Sequence, residues 1–133
     1  EEWDALLVDC SILFIRGEES LSRAALSGIP FVWHAYPQSD EYQLVKVNAL
    51  LEKLRPFFSE SDFEIIKNDW IDFNSPDLEL DKVQTQQNVL EFLKNVENLK
   101  DGFEKFGQNL RKNGDLAFNL MTFIKQIVII EDN

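Results

Sequence analysis

Two short polar segments, Arg16-Gly17-Glu18-Glu19-Ser20 and Tyr36-Pro37-Gln38, hold the side chains best suited to chemistry in this chain. Arg16 offers a guanidinium fork that matches a phosphate. Gly17 has no side chain, so the backbone can turn tightly and come close to a ligand. If a helix starts just after it, the first N–H groups are unpaired and attract phosphate oxygens. A diphosphate suits this lip. Glu18 or Glu19 is placed to cap the helix or to take the hydroxyls of a ribose, and Ser20 to donate to a phosphate oxygen or to cap. Tyr36 brings a phenol that donates to an anion without carrying charge. The same residues also suit an ordinary capped helix with Arg16 on its surface, and the side chains alone leave both readings open.

The elements around these segments decide how they meet. An apolar run from Ile12 to Ile15 precedes the first, a short helix closed by Gly28 follows it, and a second apolar run from Pro30 leads to Tyr36-Pro37. This is a β-turn-α-turn-β pattern. Such units form parallel strands, and their ligands lie beyond the carboxyl ends of those strands. Both polar segments fall at that edge, so they are predicted to be the two lips of one pocket. Along the strand Phe31 to Ala35, Phe31, Trp33 and Ala35 share one face and Val32 and His34 the other. His34 is the single histidine, and inside a strand it reads as a hydrogen-bonded core group in preference to a catalytic base.

The complete pattern resembles the donor-binding half of glycosyltransferases of the B type, which are built from two facing Rossmann domains. Phe14-Ile-Arg-Gly-Glu-Glu-Ser20 with Gly28-Ile-Pro-Phe-Val-Trp-His-Ala-Tyr-Pro-Gln38 is similar to one family in particular, the protein-arginine rhamnosyltransferases that modify elongation factor P. Asp115-Leu-Ala-Phe-Asn-Leu120, leading into a last helix, fits the end of that family's sequences. The resemblance implies an inverting, metal-independent transfer of rhamnose from dTDP-β-L-rhamnose to an arginine of elongation factor P, with no cofactor beyond the donor. It implies that Arg16 and Tyr36 hold the diphosphate and that Glu18 is the activity-critical acid. Gly17, Glu19, Ser20 and Gln38 complete the donor-facing turns. The family usually has Asp where this chain has Glu19, and the extra methylene displaces that carboxylate. By the same resemblance the general base is an aspartate of a preceding N-terminal acceptor domain, and this piece alone binds donor weakly and catalyses nothing.

The expected fold class is therefore α/β: part of a Rossmann-like parallel-sheet domain followed by several C-terminal helices. Residues 1–80 carry the βαβ unit with flanking helices, and residues 81–133 the C-terminal helices. The chain opens without Met on a helical pattern containing Trp3, Leu6 and Leu7, so it reads as a cut piece of a longer protein. From Ser39 to about Pro56 a helix is predicted with Tyr42, Val45, Ala49, Leu50 and Leu54 inward. Ser61-Asp-Phe-Glu64 matches a capping box opening a helix through about Ile71, and Asn74-Ser-Pro76 reads as a turn. Phe57, Phe58, Phe63, Trp70 and Phe73 read as core in preference to a base-stacking platform. Val83, Leu90, Leu93, Val96 and Leu99 predict one long amphipathic helix from Asp81 to Lys100, loosely broken by Gly102 and Gly107, with Phe103, Phe106 and Leu110 continuing the stripe. Asp115 is expected to cap a last helix with Leu116, Leu120, Phe123, Ile124 and Ile127 inward.

With 24 acids against 13 bases the formal charge is −11, which argues against nucleic acid as a partner and suits an arginine-bearing acceptor. Cys10 is the single cysteine. It excludes internal disulfides and cysteine-cluster metal sites and fits a reducing, cytoplasmic setting. No apolar run reaches membrane-spanning length. Two other functional classes remain: a B-type sugar-nucleotide enzyme of different specificity, including an epimerase, and a non-enzymatic adaptor built from the acidic helices.

Overall fold

A computed structural model describes residues 11–37, 41–75 and 82–113. The helices predicted near Trp3 and after Asp115, together with Gln38 and Pro76, lie outside them. The fold is α/β, mostly helical, with a small two-stranded parallel sheet. Strand β1 (Leu13–Ile15) leads into helix α1 (Glu18–Ser27), which returns to strand β2 (Phe31–Trp33). Gly28 ends α1 with φ 76°, a left-handed conformation that costs a residue without Cβ little. The predicted βαβ unit is present, with β2 shorter than the run Phe31 to Ala35.

The register pairs Leu13 with Phe31, Phe14 with Val32 and Ile15 with Trp33. The N–H of Leu13 donates to the carbonyl of Pro30 (2.9 Å) and that of His34 to Ile15 (2.8 Å). Residues 30, 32 and 34 of the second strand run therefore turn their peptide groups toward β1, and 31, 33 and 35 turn theirs away. Helix α3 (Glu60–Asn74) satisfies that outer edge with side chains. Trp70 Nε1 donates to the carbonyl of Phe31 (3.2 Å), Asn74 Nδ2 donates to that of Trp33 (2.8 Å), and Asn74 Oδ1 accepts from the N–H of Ala35 (2.8 Å). The β2 side of the sheet is thus closed by a helix, one of the standard ways to protect an edge.

Helix α2 (Tyr42–Leu54) follows β2 and is succeeded by a 3-10 turn, Arg55–Phe57, containing Pro56. Its buried face is Gln43, Lys46, Val47, Leu50, Leu51 and Leu54. This corrects the predicted stripe, which shares only Leu50 and Leu54 with it. The helix is rotated because a glutamine and a lysine occupy inward positions that an apolar count assigns to solvent. The cap of α3 is also corrected. Ser59 Oγ, two residues before the predicted Ser61, accepts the N–H of Asp62 (3.2 Å), and the helix continues past Ile71 to Asn74.

The expected long helix is two, α4 (Lys82–Lys94) and α5 (Val96–Lys112), parted at Asn95. On α4 the core contact is Phe92, whereas Val83, Leu90 and Leu93 are exposed. Gly102 and Gly107 do not break a helix. They lie inside α5, where they permit close approach. A Cβ on Gly107 would stand 2.8 Å from the carbonyl oxygen of Ala25 in α1, and one on Gly102 would overlap the ring of Phe58. Phe103, Phe106 and Leu110 continue the inward stripe as predicted, and join Leu21, Phe31, Trp33, Leu50, Phe63 and Trp70 in one core. Phe57, Phe58 and Phe73 pack against that core, in keeping with the core reading of the aromatic run.

Candidate functional site

Parallel pairing brings the ends of β1 and β2 side by side, and with them Arg16 and Tyr36. The guanidinium carbon of Arg16 stands 4.7 Å from the centroid of the Tyr36 ring, within cation–π range. Arg16 Nε donates to the carbonyl of His34 (3.3 Å), and the indole Nε1 of Trp33 donates to the carbonyl of Arg16 (3.1 Å). Each strand end is thereby tied to the other. The backbone leading to Tyr36 is held from behind by the Asn74 amide, which also donates to the carbonyl of Trp70 (2.7 Å). Gln43 Nε2 donates in turn to the carbonyl of Asn74 (3.3 Å). Tyr36 itself is 59% exposed, an accessible side chain on a fixed base.

Gly17 is the N-cap of α1, with φ −70° and ψ 148°. That is extended backbone open to any residue, so the tight turn expected of Gly17 is not what it provides. A Cβ there would meet nothing within 4 Å, which leaves open space over the start of the helix. The first helical bond runs from the N–H of Leu21 to the carbonyl of Gly17 (2.9 Å). The N–H groups of Glu18, Glu19 and Ser20 therefore precede the helical ladder and form its positive end.

The two acids part company. Glu18 Oε1 lies 3.3 Å from Lys46 Nζ of α2, with the lysine side chain 8% exposed and the glutamate 30%. Glu19 is 86% exposed and reaches along α1 toward Arg23 (3.8 Å), away from the second lip. Ser20 is half-buried. Neither acid caps α1, whose N-cap has no side-chain hydrogen bond. His34 is half-buried, with its ring 5.9 Å from that of Phe73. Burial, and secondarily the Arg16 charge, hold its imidazole below its ordinary pKa, so it is neutral at pH 7 and adds no charge to the lips.

The arrangement can bind an anion from two directions. A fixed guanidinium and a helix N-terminus face it from one strand end, and a phenol from the other. Sequence reasoning placed Arg16 and Tyr36 in one crevice, and the structure brings them into contact. It missed Lys46, Gln43 and Asn74. For Lys46 and Gln43 a usable signal existed: with Val47, Leu50, Leu51 and Leu54 they complete an unbroken i, i+3, i+4 face.

Comparison with known proteins places the chain in a family. The model of the family described as Elongation-Factor P (EF-P) rhamnosyltransferase EarP matches residues 1–125. A protein-arginine rhamnosyltransferase of Shewanella oneidensis is 33% identical over 93 residues, covering 59% of this chain and 24% of that protein. One from Neisseria meningitidis serogroup B is 43% identical over 61 residues, 44% of this chain and 15% of that protein. One from Pseudomonas aeruginosa is 33% identical over 75 residues, 56% of this chain and 20% of that protein. The matched region thus spans a quarter or less of these curated relatives.

Proposed function

The chain belongs to the elongation factor P rhamnosyltransferase family, and from that premise we propose that it is the donor-binding part of an enzyme that moves rhamnose from dTDP-β-L-rhamnose to an arginine of elongation factor P. The observation that carries the reading is the contact between Arg16 and Tyr36 at the N-terminus of α1. In this reading the helix end and Arg16 offset the charge of the departing diphosphate, as charge stabilisation of a leaving group requires, while Tyr36 donates from the opposite lip. Glu18 acts on the sugar side of the same pocket. Gly17 leaves room for the diphosphate, Ser20 and Gln38 complete the turns, and Glu19 contributes through its backbone N–H.

The transfer inverts the anomeric carbon, with the base supplied from a facing N-terminal domain and no metal taking part. The βαβ unit with α2 to α5 then belongs to a Rossmann-like domain of a B-type glycosyltransferase, acting in the bacterial cytoplasm without nucleic acid or membrane. Among the described residues no helix is long and apolar enough to cross a membrane.

The test is turnover by the complete protein with dTDP-β-L-rhamnose and elongation factor P, read as a single deoxyhexose on an arginine-containing peptide by mass spectrometry. Competition by other thymidine diphosphate sugars, and none by uridine or guanosine ones, is the expected result. Modification from a uridine donor instead assigns the fold to a different sugar-nucleotide enzyme. An absence of any nucleotide-dependent rise in melting temperature leaves only the adaptor class.

A further inference from the structure

Lys46 is the least expected residue on the buried face of α2. Its neighbours on that face are Val47, Leu50 and Gln43, and an apolar side chain of similar volume would pack there without removing an ammonium from water. Buried ion pairs add little net stability over such a replacement, so the fold gains little from a lysine here. Among the described residues its partner is a carboxylate: its Nζ lies 3.3 Å from Oε1 of Glu18, on the first turn of α1.

That turn is where an unheld carboxylate does harm. The N–H groups of residues 18 to 20 and the guanidinium of Arg16 attract any anion nearby. A free Glu18 side chain would compete with a phosphate for both. Held by α2, it leaves them available. Arg16, meanwhile, is engaged with the His34 carbonyl and the Tyr36 ring.

We infer that Lys46 is a positioning residue of the donor pocket: it fixes the Glu18 carboxylate in one orientation and keeps it off the groups that receive the diphosphate. The inference rests on the donor-site reading above and adds to it a residue that touches neither lip directly. It predicts that losing the lysine charge damages turnover more than stability.

The experiment compares Lys46→Met, Lys46→Gln and Lys46→Arg with Glu18→Gln in the complete protein, reading kcat, donor KM, calorimetric donor affinity and melting temperature. In Lys46→Met a loss of kcat or donor affinity of about ten- to a hundredfold is expected, the scale of a misplaced reacting group. Recovery in Lys46→Arg, with a melting temperature no higher than that of Lys46→Met, separates positioning from packing. Lys46→Gln keeps an N–H donor without charge and is expected to fall between; it carries the comparison if the methionine variant does not fold. Wild-type kcat and donor affinity in either neutral variant overturns the inference, as does a loss that follows melting temperature alone across the three substitutions. Wild-type turnover in Glu18→Gln removes the donor-site role of Glu18 itself. An inactive Glu18→Gln beside a fully active Lys46→Met leaves that role standing and removes Lys46 only.

Discussion

Arg16 and Tyr36 lie face to face across the ends of two parallel strands, with the guanidinium carbon 4.7 Å from the phenol ring centroid. The contact does more than bring two binding groups together. It orients a long, exposed side chain in advance, which lowers the conformational entropy lost when an anion binds. An exposed pair of this kind contributes only about 0.5–1 kcal/mol, so its value lies in geometry.

Replacing Arg16 by Ala in the complete protein removes a charge-assisted hydrogen bond worth about 1.5–3 kcal/mol. Donor affinity measured by calorimetry is expected to fall by roughly ten- to a hundredfold. Arg16→Lys recovers little, because an ammonium cannot donate as a planar fork or stack on Tyr36 in the same way. Unchanged affinity in Arg16→Ala takes the residue out of the site.

Asn74 satisfies three backbone groups at once: the carbonyls of Trp33 and Trp70 and the N–H of Ala35. In Asn74→Leu the Trp33 carbonyl and the Ala35 N–H are buried without partners, at about 1–3 kcal/mol for each one left unsatisfied, while the Trp70 carbonyl keeps the backbone bond of its own helix. Urea denaturation is expected to show a midpoint well below that of the parent. Donor affinity falls with it, since Tyr36 loses the anchor of the strand that carries it. A Leu variant with the parent's midpoint would show that water replaces the amide.

Gly107→Ala tests the close approach of α5 to α1. In an exposed helix interior this change stabilises by about 0.8–1 kcal/mol. Here the new Cβ would lie 2.8 Å from the Ala25 carbonyl oxygen, a backbone atom that cannot rotate aside. The expected sign is therefore reversed, with a lower melting temperature and a displaced α1. A rise in melting temperature would mean that the two helices separate at no cost.

Asp69 sets a pH dependence. It is 1% exposed, and its Oδ1 accepts no hydrogen bond from the described residues. Burial, and then the neighbouring Asp72 charge, raise its pKa from 3.8 to about 7. The folded state thus holds this proton more tightly than the unfolded chain. The group's contribution is most favourable below pH 3.8 and declines as pH rises toward 7, where the buried carboxyl must ionise. Asp69→Asn, which cannot ionise, is expected to melt higher than the parent at pH 8, by on the order of a few kcal/mol of stability, with the gap closing toward pH 5. Equal melting temperatures at pH 8 would show that the carboxylate is solvated or paired.

The βαβ unit was legible because its signals are local: apolar runs, a glycine stop and a proline start. The meeting of the two polar lips followed from it, since parallel strands bring their carboxyl ends to one edge. The residues behind the lips were not legible for the converse reason. Lys46 and Gln43 are polar and so drop out of a count of apolar residues, although the face of Val47, Leu50, Leu51 and Leu54 runs through them, and the partner of Lys46, Glu18, lies on an earlier helix. Asn74 reads as a turn residue, yet it ends a helix whose side chains take the place of a neighbouring strand. Gly102 and Gly107 carry the opposite lesson. A glycine is equally suited to interrupting a helix and to letting another element touch it, and only the position of Phe58 and Ala25 decides between them.

Closure of the sheet by Trp70 and Asn74 gives the crevice a direction. The peptide groups of Leu13 and Ile15 are directed to β2, so those of Phe14 point the other way, and among the described residues the edge left for a further parallel strand is that of β1. Its terminal loop would emerge next to Arg16 and far from Tyr36. A wall added on that flank would rise beside the guanidinium, with the phenol on the far side of it.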